Sequence, residues 1–136
     1  MSNALFLDAS GWFAAMSPRE RDHDLAARTY GDAARRGDRL VTTNLVIAEV
    51  HALVLRWRDA KAGRQFLDLA GDTDTHAVTF ADAELTGAAI TRWIRGYADQ
   101  RFSFADAVSF EVMRRERLMK ALTFDHHFRV AGFETL

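Results

Sequence analysis

A chain of 136 residues, 49% of them hydrophobic, has enough apolar surface for one compact core, and this composition excludes disorder throughout. The absence of cysteine excludes disulfides and thiolate metal sites and fits a reducing cytoplasm, which is the location we expect. A net charge of −1 favours no class of partner, and the sequence has neither a membrane-spanning apolar run nor a recognisable secretion signal. Because no linker, repeat or low-complexity segment interrupts it, the span 1–136 is predicted to form a single domain.

Short apolar runs alternate along the chain with longer stretches in which apolar residues recur at helical spacing. Pro18 and Gly37 end two of the helical stretches, and Thr43 or Asn44 is expected to cap the next one. In chain order, the pattern predicts a strand at 4–8, helices at 9–16 and 22–37, a strand at 38–43, helices at 44–59 and 61–72, a strand at 75–80, helices at 81–98 and 104–118, a strand at 120–124, a helical turn at 125–130 and a candidate fifth strand at 133–136.

This alternation is typical of βαβ units, which place parallel strands side by side and cover both faces of the sheet with helices. We therefore predict an α/β fold with three layers, α/β/α, around a central parallel sheet of about four to five strands. In such sheets, functional groups gather beyond the carboxyl ends of the strands.

Four acidic residues are expected at that edge. Asp8 ends the first strand and Asp125 ends the fourth, while Asp106 begins a helix and Glu49 lies within the helix after the second strand. Each aspartate alone could be a helix cap or a first-turn acid favoured by the helix dipole. Glu49 and Asp106 lie among apolar neighbours, where an ionised carboxylate is costly unless it is paired or binds a cation.

Together, the four acids indicate more than caps. Four carboxylates share one pocket only when something compensates their repulsion, and a hard divalent cation does so. Oxygen ligands suit Mg²⁺ or Mn²⁺, and these ions assist hydrolysis of phosphodiesters. The sequence therefore predicts metal-assisted phosphodiester hydrolysis.

Four segments carry these acids: "FLDAS", "TTNLVIAEV", "FSFADAVSF" and "LTFDHHF". In this order and spacing they resemble the four acidic motifs of PIN-domain ribonucleases. The length of the chain and the motif order are most similar to VapC-type toxins of bacterial type II toxin–antitoxin pairs. The resemblance covers nearly the whole chain.

The resemblance implies a Mg²⁺-dependent or Mn²⁺-dependent endoribonuclease of the PIN-like fold that cleaves RNA, pairs with an antitoxin protein and forms a homodimer. By position, Asp8 and Asp106 would be direct metal ligands. Glu49 and Asp125 would bind a second ion, hold waters of the first or orient the nucleophilic water. The residues expected to support them are Ser10, Thr43 and His127.

Two other functions are compatible with the same fold. They are a catalytically weak interaction module and a nuclease of RNA processing rather than a toxin. A zinc site would require clustered histidines, but His51 lies on a different helical face from Glu49, and adjacent histidines such as His126 and His127 rarely bind one ion. The sequence has no serine nucleophile elbow, no second aspartate two residues after Asp8 and no phosphate-binding glycine loop.

Contacts with RNA are the least specific predictions. Arginine suits phosphate binding, and Arg101 and Arg56 are our candidates, although an arginine-rich composition alone explains their presence. Most aromatic residues are expected in the core, with Phe102 or Tyr97 as candidates for base stacking.

Overall fold

The computed structural model describes residues 3–136. Its elements follow the predicted order with small changes at the ends: β1 (Ala4–Leu7), α1 (Ala9–Met16), α2 (His23–Arg36), β2 (Arg39–Thr43), α3 (Asn44–Trp57), α4 (Ala60–Ala70), β3 (His76–Thr79), α5 (Ala83–Ala89) continued by a π-helical segment (Ile90–Arg95), α6 (Phe104–Glu116), β4 (Ala121–Leu122) and α7 (His127–Val130). Thr43 is the N-cap of α3, since its hydroxyl accepts a hydrogen bond from the amide of Val46.

The four strands form one parallel sheet in the order β3-β2-β1-β4. The predicted α/β/α arrangement is confirmed. The candidate fifth strand at 133–136 is not formed in the described residues, because this segment contributes only an isolated parallel bridge between Glu134 and Lys120.

The alternation of side chains along β1 divides the core between the two faces of the sheet. Phe6 contacts Phe128 of α7, and Phe128 packs edge-on against Phe110 of α6. Trp12 of α1 packs against Phe66 of α4 in a second aromatic cluster. All of these rings are buried, so both faces of the sheet are closed by helices.

Strand order determines where a site can form. The chain moves from β1 to β2 and β3 on one side and returns to place β4 on the other side of β1. The point of reversal lies between β1 and β4, and the crevice beyond the carboxyl ends of such strands is where open α/β sheets bind ligands. Helices α3 and α6 begin at this same edge. Within residues 3–136, no helix combines the length and apolar character that crossing a membrane would require.

Candidate active site

Asp8 directly follows β1 and lies beside Thr123, which directly follows β4. The two strands pair with Leu7 opposite Leu122, so the next residue of each strand is brought to the same place. The side chain of Asp8 is buried, and its Oδ2 accepts a 2.7 Å hydrogen bond from the Thr123 hydroxyl. The first predicted acid is therefore held at the point of strand reversal.

A small network of hydroxyls and backbone amides extends from Asp8 to Asp125. Ser10 Oγ lies 3.4 Å from Asp8 Oδ2 and 3.2 Å from Thr123 Oγ1. The amide of Phe124 donates to Ser10 Oγ at 3.0 Å, and the amide of Asp125 donates to Thr123 Oγ1 at 3.0 Å. Ser10 thus contacts the predicted acid directly, and Asp125 is joined to it through one threonine.

Asp106 is held in the first turn of α6 by a capping box with Ser103. The amide of Asp106 donates to Ser103 Oγ at 3.0 Å, and the amide of Ser103 donates to Asp106 Oδ2 at 3.3 Å. His127 connects this acid to Asp125: its Nδ1 lies 3.6 Å from Asp106 Oδ2 and 3.4 Å from Asp125 Oδ1. The His127 amide also donates to Asp125 Oδ1 at 2.9 Å.

Glu49 lies on α3 and shares the electrostatic field of the other three acids. Burial raises the pKa of Asp8 from 3.8 to about 6, although the hydrogen bond from Thr123 partly opposes this rise, and Asp106 and Asp125 add to it. Although much of Glu49 is exposed, partial burial and then the charges of Asp8, Asp106 and Asp125 raise its pKa to about 7. Burial and Asp125 also raise the pKa of Asp106. Four carboxylates therefore act on one another in a region with too little positive charge.

The donor set fits a hard divalent cation. We name Asp8, Glu49, Asp106 and Asp125 the acidic quartet; all offer carboxylate oxygens, the ligands that suit Mg²⁺ and Mn²⁺. Within residues 3–136, the set of three potential ligand atoms that lie within 4.8 Å of one another belongs to Asp125, His126 and His127. The His126 side chain is 69% exposed, and its Nδ1 is 3.8 Å from Asp125 Oδ1. Asp125 is the residue that belongs to both groups.

The other predicted residues lie at different distances from the acidic quartet. Thr43 is buried at the start of α3, and its hydroxyl caps this helix. Thr43 therefore supports Glu49 indirectly, by stabilising the helix that carries it. Arg101 is exposed two residues before the capping residue of α6. Arg56 lies seven residues after Glu49, about 10 Å farther along α3 at 1.5 Å per residue, and its guanidinium lies over the Trp57 ring.

Phe102 has a structural role that differs from base stacking. It is buried and packs edge-on against both His127 and Phe110, at centroid distances of 5.4 and 5.0 Å. This aromatic contact fixes the ring of His127 between the two aspartates. Tyr97 is partly buried and packs against Phe102 and Trp93.

Sequence reasoning missed two residues of this site. In the sequence, Thr123 is part of a predicted apolar strand. The register of β1 with β4 places its hydroxyl within hydrogen-bonding distance of the Asp8 carboxylate. Ser103, three residues before Asp106, caps α6, and the pattern of serine followed three residues later by an acid could have identified it.

Known proteins share both the sequence pattern and the fold. A family model described as PIN domain matches residues 5–134. The 23S rRNA-specific endonuclease VapC20 of Mycobacterium tuberculosis is 30% identical over 129 residues, which is 95% of each chain. The crystal structure of VapC20, described as a sarcin–ricin loop cleaving toxin, matches with a TM-score of 0.85 and 28% identity over 96% of both chains. FitAcB from Neisseria gonorrhoeae shares the fold, with a TM-score of 0.70 and 16% identity over 97% of this chain and 96% of that chain. The resemblance drawn from the four acidic motifs is confirmed: the chain belongs to the PIN domain family and is similar over nearly its whole length to a VapC toxin.

Proposed function

We propose that this protein is a divalent-metal-dependent endoribonuclease and the toxin of a type II toxin–antitoxin pair. The observation that carries the proposal is that Asp8 lies where β1 and β4 meet and is linked to Asp125 through Thr123, and Asp125 to Asp106 through His127, in a chain that is 30% identical to a VapC endonuclease. The raised pKa values of Asp8 and Glu49 support it, because they mark negative charge that a bound cation would neutralise.

The assigned roles follow from how each acid is held. Asp8 is oriented by two hydroxyls and Asp106 by a capping box. We assign these two as direct ligands of Mg²⁺ or Mn²⁺. Asp125 and the more exposed Glu49 either hold a second ion or orient water. Ser10 and His127 contact the acids, and Thr43 supports Glu49 by capping its helix.

The reaction we propose is hydrolysis of an RNA phosphodiester by in-line attack of water. A divalent cation supplies positive charge for the phosphate oxygens and lowers the pKa of a coordinated water. Glu49 lies on the solvent side of the cluster, where its carboxylate can orient the attacking water and accept a proton from it. His127, with Nδ1 directed at Asp106 and Asp125, keeps these two carboxylates in place.

Substrate and partners are proposed from the same likeness. VapC20 is described as specific for 23S rRNA and as cleaving the sarcin–ricin loop, so that loop is the first RNA to test. Arg101, exposed next to the start of α6, is the better candidate for a phosphate contact, and Arg56 is farther along α3. We further propose that the chain acts as a single domain in the cytoplasm, forms a homodimer and is held inactive by an antitoxin.

Cleavage by the purified, antitoxin-free protein tests the proposal. End-labelled sarcin–ricin loop RNA and total RNA are incubated with Mg²⁺ or Mn²⁺, and parallel samples contain excess EDTA. We expect cleavage only when the cation is present. Equal cleavage in EDTA contradicts the metal dependence, and no cleavage of any RNA by folded, cation-loaded protein favours the interaction-module alternative. Cleavage without growth inhibition on induced expression favours a nuclease of RNA processing.

A further inference from the structure

We infer that Thr123 is a positioning residue that sets Asp8 and Asp125 in one fixed arrangement for the cation. This inference rests on the proposed function and adds a residue to it. The contacts of Ser10 and Thr123 with Asp8 both end on Oδ2, and the backbone amide of Ala9 also donates to this carboxylate.

The hydroxyl of Thr123 connects the carboxylate of Asp8 with the backbone amide of Asp125. A threonine hydroxyl has one hydrogen to donate and two lone pairs that accept. Here the hydrogen goes to Asp8 Oδ2 at 2.7 Å, and one lone pair accepts the Asp125 amide at 3.0 Å. Ser10 Oγ lies 3.2 Å from the same oxygen, and its single hydrogen is directed either at Thr123 or at Asp8 Oδ2. The amide of Asp125 can only donate and the ionised carboxylate of Asp8 can only accept, so Thr123 accepts from the first and donates to the second.

This connection crosses the boundary between two strands that come from opposite ends of the chain. Asp8 belongs to β1 and Asp125 follows β4. The negative charges of Asp8 and Asp125 repel each other. The fully buried Thr123 hydroxyl bonds to the carboxylate of Asp8 and to the backbone amide of Asp125, and it therefore holds the two residues at a set spacing. Metal ligands held in place before binding lose less entropy when the cation arrives.

A second buried threonine separates positioning from packing. Thr42 on β2 is as fully buried as Thr123, but its hydroxyl donates to the backbone carbonyl of Leu7 at 2.9 Å. Replacing either threonine by valine keeps the shape and removes a buried hydrogen bond. Only the replacement at Thr123 releases the two acids, so Thr42→Val is the matched control.

Titration calorimetry with Mn²⁺ on the purified full chain is the test. We expect Thr123→Val to bind Mn²⁺ about 10-fold to 100-fold more weakly than the wild type, in line with the loss of groups that orient metal ligands. Thr123→Ser, which restores the hydroxyl, should return the affinity to near the wild-type value, and Thr42→Val should leave it unchanged. In cleavage assays, Thr123→Val should lower kcat at a given Mn²⁺ concentration without raising KM for RNA.

Several outcomes overturn the inference. Equal Mn²⁺ affinity in the wild type and Thr123→Val would do so, and so would an equal loss in Thr42→Val, which would mean that general destabilisation is the cause. If Thr123→Val does not fold, Thr123→Ala removes the hydroxyl without a replacement methyl group and is measured against Thr123→Ser. A wild-type protein that neither binds Mn²⁺ nor cuts RNA contradicts the proposed function itself, so the two failures are distinguishable.

Discussion

Nδ1 of His127 lies 3.6 Å from Oδ2 of Asp106, which brings the start of α7 against the first turn of α6. The same nitrogen is 3.4 Å from Asp125 Oδ1, and the edge-to-face contact with Phe102 fixes the plane of the ring. An imidazole between two carboxylates can donate to only one of them through this nitrogen at a time. One of the two carboxylates therefore receives no hydrogen bond from Nδ1 of His127 at any time.

Asp106→Asn should keep the fold and abolish RNA cleavage. Asparagine is nearly isosteric, and its side-chain oxygen can still accept from the Ser103 amide, so the capping box survives. The substitution removes one negative charge from the ligand set, and several kcal/mol of lost transition-state stabilisation correspond to a rate at least about 100-fold lower. The measurements are RNA cleavage and the Mn²⁺-induced rise in Tm; both should be lost.

Asp68→Asn provides the matched control, because Asp68 is an exposed acid on α4. It changes net charge by the same amount without touching the acidic quartet, and it should cut RNA at the wild-type rate. Undiminished cleavage or growth inhibition by Asp106→Asn would contradict the role assigned to Asp106.

Metal-free protein should lose stability as pH rises from about 4 to about 7. Folding raises the pKa of Asp8 from 3.8 to about 6 through burial, and that of Glu49 from 4.5 to about 7. Above these values both groups ionise in the folded state at a cost that the unfolded chain does not bear, and below about pH 4 both states are protonated and the difference disappears. For buried Asp8 alone, this corresponds to roughly 3 kcal/mol at high pH.

Thermal unfolding in EDTA at several pH values measures this effect. The double variant Asp8→Asn, Glu49→Gln should show a flatter dependence of Tm on pH, and saturating Mg²⁺ should stabilise the wild type most at the alkaline end. A double variant with the same pH slope as the wild type would mean that other groups cause the dependence.

The positions of the acids could be predicted from the sequence because they depend on local pattern. Short apolar runs that end in Asp8 and Asp125 indicate strand ends, and the βαβ rule brings strand ends to one edge. The contact between Thr123 and Asp8 could not be predicted, because it depends on the register between strands from opposite ends of the chain. The segment 133–136 has a strand-like composition, but it forms only one parallel bridge, between Glu134 and Lys120, the residue before β4.

The charged segment "RRER" shows a second limit. Its pattern predicts a solvated helix face, and Arg114 and Arg115 are exposed, but both also bind the carboxylate of Glu111, which is buried. The spacing of i, i+3 and i+4 is visible in the sequence. The burial of Glu111 is not, because it follows from the packing of the π-helical segment (Ile90–Arg95) against α6.

Gly11→Ala should destabilise the protein and loosen the contact of Ser10 with Thr123. A Cβ at Gly11 would lie 2.2 Å from the carbonyl oxygen of Leu122, so α1 can approach β4 this closely only with glycine. Backbone atoms cannot yield as a flexible side chain can, and we expect a loss of about 1–3 kcal/mol or more. Denaturant unfolding gives the stability, and RNA cleavage should fall as well.

Gly87→Ala is the control for this change. Gly87 lies within α5, and a Cβ there meets no atom within 4 Å. Alanine is the better helix former, so this variant should gain about 0.5–1 kcal/mol. If Gly11→Ala were as stable as Gly87→Ala, the close packing of α1 on β4 would be disproved.

Glu111→Ala should destabilise the protein, since it removes a buried carboxylate that is bound by partly exposed arginines. The carboxylate accepts from Trp93 Nε1 at 3.1 Å and from Arg114 and Arg115 at 2.8 and 2.9 Å, and Arg92 lies 3.3 Å away. Burial alone would raise the pKa of Glu111, but hydrogen bonds from Arg114, Arg115 and Trp93 lower it to about 2. Removal leaves the buried Trp93 Nε1 without its acceptor, at a cost of about 1–3 kcal/mol, while Arg115 keeps its pair with Glu84.

The pH dependence of this cluster runs opposite to that of the acidic quartet. A lowered pKa means that Glu111 contributes stability above its usual value of 4.5, and that this contribution is lost as pH falls toward about 2. Acid unfolding of Glu111→Ala should therefore be shallower in that range than acid unfolding of the wild type. Glu84→Gln is the control, because Glu84 also binds Arg115 but is 69% exposed and should cost no more than about 1 kcal/mol. Equal losses in the two variants would mean that Glu111 is an ordinary surface partner and that other contacts hold the π-helical segment against α6.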